Sequence, residues 1–77
     1  MFNLVVKSNV APRNLVCELG KTPNEVFNEL QMDVSNSIVN VDGTIVRDLN
    51  KTFEELGCEA GGTHYLSSVV KQDGNNK

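Results

Sequence analysis

The sequence feature that most constrains the fold is the dipeptide Asp42-Gly43, which separates two short runs rich in β-branched residues, 38–41 and 44–47. An Asp-Gly pair in this setting supplies the two positive φ values of a two-residue hairpin turn. An antiparallel hairpin is therefore predicted here. Gly43→Val is expected to destabilise it more than Asp42→Ala, because a β-branched residue is strained at positive φ.

A second hairpin is predicted at the start of the chain. Phe2, Leu4 and Val6 alternate with other residues, which is the period of a half-buried strand. Turn-forming residues occupy 9–14, and the alternation resumes at Leu15 and Cys17. We expect these two segments to pair through a short loop.

One long helix is predicted after residue 22. The Thr22 hydroxyl can accept from an amide of the first turn, and Glu25 can reach back to complete a capping box. Pro23 stands at the first helical position, where its missing N–H costs nothing. The pattern predicts a helix over 23–32 with its apolar stripe at Val26, Phe27 and Leu30.

A second capping pattern before the last predicted strand indicates a short helical turn. Thr52 and Glu55 form a second box, and Gly57 ends the turn. The run 63–71 then indicates a strand. The sequence does not decide which side of this strand is buried, since two sets of residues each fit the core: His64, Leu66 and Val70, or Tyr65 and Val69.

The element order is hairpin, helix, hairpin, short helical turn and strand. An amphipathic helix needs a sheet face to cover, so its stripe is expected to pack on the apolar side of both hairpins and of the last strand. Because a helical turn precedes the last strand, we place that strand inside the sheet, parallel to the first. The expected partners of the helix are Phe2, Leu4, Leu15, Cys17, Val39, Val41 and Leu66.

This order of elements, with the turn and capping residues between them, resembles that of the ubiquitin-like β-grasp superfamily. The residues that carry the resemblance are the tight hairpin at 39–46, the threonine-capped turn at 52–57 and the start of the last strand at 62–66. The resemblance implies an α+β β-grasp fold. It comprises a mixed sheet of four to five strands, one α-helix across one face and a short helical turn before the last strand. We expect one domain over 1–71 and a disordered tail over 72–77.

Composition narrows the class of partner. The chain has 77 residues, 39% of them hydrophobic, and a net charge of −3. Its seven Lys and Arg residues are scattered, so neither nucleic acid nor an anionic membrane surface is an expected partner. Residues 1–7 lead directly into a strand pattern without a basic start or a long apolar run, which favours the cytoplasm.

No catalytic, cofactor or metal site is predicted from the sequence. Cys58 and His64 are the one pair with the chemistry of a nucleophile and a base, and both flank the glycine loop 61–62. We interpret them as a loop thiol and a strand histidine, because a chain this small leaves little room for a cleft. Cys17 and Cys58 are expected to be reduced thiols.

The predicted functional surface is the face of the sheet away from the helix. Ubiquitin-like modules commonly bind partners there, and exposed apolar patches mark interaction sites. The alternative is that surface valines reflect strand propensity alone. We predict a non-enzymatic adaptor that binds a protein partner and is monomeric or weakly self-associating. Its predicted binding residues are Val5, Ile38, Asn40, Tyr65 and Val69.

A carrier protein activated at its C-terminus is the alternative function. The resemblance extends to sulfur carriers, which end in Gly-Gly. Here Gly61-Gly62 precedes the last strand, and the chain ends at Lys77, three residues after Gly74. A carrier would therefore require C-terminal processing.

Overall fold

A computed structural model describes residues 1–8 and 11–70. Residues 9, 10 and 71–77 lie outside this part of the chain, and so does the tail predicted at 72–77. The elements are β1 (Phe2–Lys7), β2 (Arg13–Cys17), α1 (Pro23–Glu29), β3 (Ser37–Val41), β4 (Thr44–Val46) and β5 (Thr63–Val70).

The sheet has five strands in the order β2-β1-β5-β3-β4. β1 runs parallel to β5, and the other neighbouring strands are antiparallel. The last strand therefore lies beside the first in the sheet interior, where the sequence placed it. This is the predicted α+β β-grasp fold.

The β3–β4 turn has the predicted backbone. Asp42 has φ 52° and Gly43 has φ 85°, so both central residues are left-handed. Two positive φ values match the right-handed twist of the flanking strands. The two-residue hairpin is confirmed.

Helix α1 begins as predicted and ends earlier. Glu25 N donates to Thr22 Oγ1 at 3.2 Å and Thr22 N donates to Glu25 Oε1 at 3.0 Å, which completes the capping box. The predicted end at residue 32 is wrong. Gln31 adopts φ 57°, and Met32 N donates to Phe27 O at 2.8 Å. This is the 6→1 hydrogen bond of a Schellman motif, which ends the helix after Leu30.

The core lies between α1 and one face of the sheet. Val26 and Phe27 are buried, and Leu30 packs against the buried cluster. Leu66 is fully buried and His64 half-buried, whereas Tyr65 is 44% exposed, so the side of β5 with His64 and Leu66 faces the core. Val70, the third residue of that predicted set, is 58% exposed. Of the predicted partners, Phe2, Leu4, Cys17, Val39, Val41 and Leu66 are buried and Leu15 is half-buried.

The second capping box forms a hydrogen-bonded turn over residues 53–57. Glu55 N donates to Thr52 Oγ1 at 3.2 Å, and Thr52 N donates to Glu55 Oε1 at 2.9 Å. The turn buries Phe53 completely against the ring of Phe2, at a centroid distance of 5.3 Å. Within residues 1–8 and 11–70, no helix has the length and apolar character to span a membrane.

Candidate functional site

The structure places all five predicted binding residues on the outer face of the sheet, which is the face away from the core. Strand side chains alternate between faces, and Leu4, Val39 and Leu66 define the core side of β1, β3 and β5. The five predicted residues occupy the opposite positions, and four of them form two pairs. Val5 and Tyr65 are register neighbours on β1 and β5, and Ile38 and Val69 are neighbours on β3 and β5.

The first pair combines apolar area with a charge. Val5 is half-buried beside the half-exposed ring of Tyr65. The Lys7 ammonium lies 5.0 Å from the centroid of that ring, within the range of a cation–π contact. Tyr65 is 44% exposed, so part of its side chain remains available to a partner beside the Lys7 ammonium.

The second pair is more exposed. Ile38 is 37% exposed and Val69 is 58% exposed. Asn40 pairs with Ser67 between this pair and the first, so a polar row divides the two apolar pairs. The face is thus amphipathic along the strands and is not one continuous apolar patch.

Two further apolar residues extend the surface to both edges of the sheet. Ile45 on β4 is 57% exposed and pairs with Asn40. Val16 on β2 is 68% exposed and pairs with Asn3. The sequence interpretation missed Ile45, although alternation from the buried Val46 places it outward.

An open groove of about 480 Å³ continues from this face round the β4 edge. Ile38 and Ile45 line it together with Val34, Leu49 and Arg47. The groove is of a size found in ligand-binding clefts. Because Ile38 and Ile45 belong to both, we call the outer face and this groove together the outer surface.

A separate cluster of Asp42, His64 and Cys58 lies at the end of the β3–β4 hairpin. Asp42 Oδ1 accepts from Tyr65 N at 2.8 Å, and Asp42 Oδ2 lies 2.5 Å from His64 Nδ1. Glu59 N donates to His64 Nε2 at 3.0 Å. Because Nε2 accepts, the ring proton is on Nδ1 and is donated to Asp42.

The loop that contains Glu59 fits closely around the His64 ring. A Cβ atom placed on Gly62 would lie 3.2 Å from His64 Nε2, so glycine permits this approach. Phe2 contacts the other side of the ring edge-to-face at a centroid distance of 5.5 Å. The imidazole therefore connects the hairpin turn to the loop before β5.

The thiol of Cys58 completes the cluster. One ligand-type atom from each of the three side chains lies within 4.8 Å of the others. Cys58 is buried, and desolvation, with the Asp42 charge as a smaller contribution, raises the pKa of its thiol to about 11. Neither Cys58 nor Cys17 forms a disulfide, and burial also raises the pKa of Cys17.

The sequence itself has no close match. No protein-family model matches it, and no curated protein resembles it closely enough in sequence to count as a match.

Solved structures do match the fold. The ubiquitin-like domain of an Arabidopsis thaliana protein is 11% identical, with a TM-score of 0.73 over 99% of this chain and 83% of that one. A ubiquitin-like protein from Trypanosoma brucei is 15% identical, with a TM-score of 0.69 over 91% of this chain and 94% of the other. Caldiarchaeum subterraneum ubiquitin is 14% identical, with a TM-score of 0.67 over 96% and 98% of the two chains.

These similarities define the class of protein as a small α+β domain. The domain has the ubiquitin-like β-grasp fold, as the sequence resemblance implied. At identities of 11–15% the likeness is one of fold.

Proposed function

We propose that this protein is a non-catalytic interaction module that binds a protein partner through the outer surface. One observation carries the proposal: each of the five strands contributes an apolar side chain to the face away from the helix. The core is already closed by α1 on the opposite side, so these side chains are not needed to complete it.

The chemistry of the outer surface suits a protein partner. Tyr65 offers a large, rigid area and a hydroxyl, a combination enriched at interfaces. Polar Asn40 and Ser67 lie between the two apolar pairs and can hydrogen-bond to a partner, which would fix its position along the strands. Lys7 adds one positive charge next to Tyr65.

The Asp42 cluster supports a non-catalytic role despite its residue types. A histidine that activates a cysteine needs a free lone pair directed at the thiol. Here the His64 Nε2 lone pair accepts from the Glu59 amide, and a buried thiol with a pKa of about 11 is protonated at neutral pH. Both features disfavour nucleophilic chemistry.

We also propose, as the sequence led us to expect, that the protein acts in the cytoplasm. The carrier alternative depends on the C-terminal residues, which lie outside the described part of the chain. Mass spectrometry of the protein from its native host decides it, because a carrier would lose residues 75–77 or gain a sulfur-bearing terminus.

A quantitative affinity capture from the native host tests the proposal. Wild-type protein and the double variant Val5→Asp, Tyr65→Ala serve as parallel baits. We expect the double variant to lose at least about 90% of each partner that the wild type enriches, because loss of interface anchors worth 2 kcal/mol or more weakens binding about thirtyfold.

A matched control changes exposed residues at the C-terminal end of α1. Asn28→Asp on the helix, with Gln31→Ala just beyond its end, introduces the same charge and a comparable truncation at exposed positions away from the outer surface. This control should capture partners as the wild type does. Each bait is first shown to be folded by its denaturation midpoint, and a folded double variant with wild-type capture would refute the outer-surface proposal.

A further inference from the structure

We propose that Asp42, Cys58 and His64 form a binding site for a thiophilic divalent cation of the zinc class. The sequence does not reveal such a site, because the three residues belong to the β3–β4 turn, the loop before β5 and β5 itself. The fold brings one ligand atom of each within 4.8 Å of the others. This function is independent of partner binding at the outer surface.

The donor set selects the class of metal. One thiolate, one imidazole and one carboxylate form a three-ligand set that Zn²⁺ accepts in tetrahedral sites, with water in the fourth position. Magnesium and calcium prefer oxygen ligands throughout. The Asp42 side chain is 40% exposed, which leaves a path from solvent to the cluster.

The geometry requires small movements. Bonds of about 2.0 Å to nitrogen and oxygen and about 2.3 Å to sulfur place tetrahedral ligand atoms about 3.3–3.8 Å apart. The 2.5 Å contact between Nδ1 and Oδ2 must open, while the widest separation in the cluster closes from at most 4.8 Å. The other oxygen of the Asp42 carboxylate, Oδ1, accepts from Tyr65 N, which leaves Oδ2 as the oxygen for the metal.

The protons balance as follows. The metal replaces the proton that Nδ1 donates to Asp42, and that proton moves to Nε2 of the same ring. The Cys58 thiol releases its proton to solvent. Since Nε2 then carries a proton, it no longer accepts from Glu59 N, and two N–H donors cannot remain 3.0 Å apart. The Glu59 amide must therefore turn away from the ring towards solvent, so metal binding has a predicted signature at this amide.

Titration of the full chain with Co²⁺, a spectroscopic substitute for Zn²⁺, tests the site directly. We expect a thiolate-to-cobalt charge-transfer band in the near ultraviolet that is removed by excess Zn²⁺ or by a chelator. In ¹H–¹⁵N spectra with Zn²⁺, the Glu59 and Tyr65 amide signals should shift together. Wild-type protein without the band at millimolar Co²⁺ overturns the proposal, whatever the variants do.

The two buried cysteines provide matched variants. Cys58→Ser should weaken Co²⁺ binding at least about tenfold and abolish the band, as loss of a ligand does. Cys17→Ser removes a thiol of similar burial and should keep both the affinity and the band. His64→Gln gives a second ligand test, and a band that survives Cys58→Ser or vanishes in Cys17→Ser would refute this assignment.

Discussion

Replacing Asp42 with alanine is expected to destabilise the fold more than any other change at the β3–β4 turn. The side chain joins the β3–β4 turn to β5 at two points, because one oxygen accepts from the Tyr65 amide and the other contacts the His64 ring. Its backbone is also left-handed, at φ 52°. Alanine loses both contacts and tolerates that conformation poorly.

The magnitude follows from these three effects. Two charge-assisted hydrogen bonds at a partly exposed carboxylate contribute about 1 kcal/mol each after screening by solvent. A left-handed alanine costs about 1 kcal/mol more than aspartate. The sum predicts a loss of about 3 kcal/mol in the free energy of unfolding, which lowers the melting temperature of a domain this small by about 12–24 °C.

Gly43→Val gives the comparison. A Cβ at Gly43 meets no atom within 4 Å, so the variant is strained only by its φ of 85°. That strain costs about 2 kcal/mol. The contacts of Asp42 thus reverse the order expected from the sequence, in which Gly43→Val was the more damaging change.

Urea denaturation of both variants and of Asp42→Asn measures the order. Asparagine tolerates the left-handed region and keeps one acceptor oxygen, so we expect its cost to be about 1 kcal/mol. The reasoning is refuted if Asp42→Ala loses less than Gly43→Val. Equal losses for Asp42→Ala and Asp42→Asn would show that neither the left-handed preference nor the acceptor oxygen that asparagine keeps contributes to stability.

Two further predictions concern the ends of α1. Thr22→Ala should lower the free energy of unfolding by about 1 kcal/mol, because it removes the N-cap acceptor of Glu25 N. Thr22→Ser keeps the hydroxyl and should be nearly neutral. An unchanged urea midpoint for the alanine variant would contradict this prediction. Gln31→Gly should raise stability by about 0.5–1 kcal/mol, since relief of left-handed strain exceeds the added entropy of the unfolded chain. The matched Asn28→Gly, inside the helix, should instead lower stability by about 0.3 kcal/mol, the difference between the helix propensities of asparagine and glycine. A loss of stability in both glycine variants would refute the strain argument.

Most of the fold was predictable because the residues that begin and end its helices and turns act locally. The capping boxes at Thr22 and Thr52 and the turn at Asp42-Gly43 each act within four residues, so the sequence alone locates them. The helix end was mispredicted because Gln31 is not a usual left-handed residue. Its conformation is held by the Phe27 and Asn28 carbonyls.

The candidate sites likewise contain some residues that a local pattern predicts and others that depend on long-range strand pairing. Val5, Ile38 and Asn40 follow from alternation alone, whereas Tyr65 needed the register of β5 to be assigned to the outer face. Of the Asp42 cluster, Cys58 and His64 could be paired from their positions around one glycine loop, but Asp42 joins them only when β5 pairs with β3. Pairing of this kind depends on the whole sheet, and no local pattern encodes it.

The central position of β5 has a consequence for biosynthesis. β1–β2 and β3–β4 are hairpins that can form as they leave the ribosome, but β5 is the strand that joins them into one sheet. Until residues 63–70 have emerged, the inner edges of β1 and β3 remain unpaired and the core lacks Leu66. A nascent chain stopped before Thr63 therefore holds two separate hairpins, which makes it a target for chaperones and proteases.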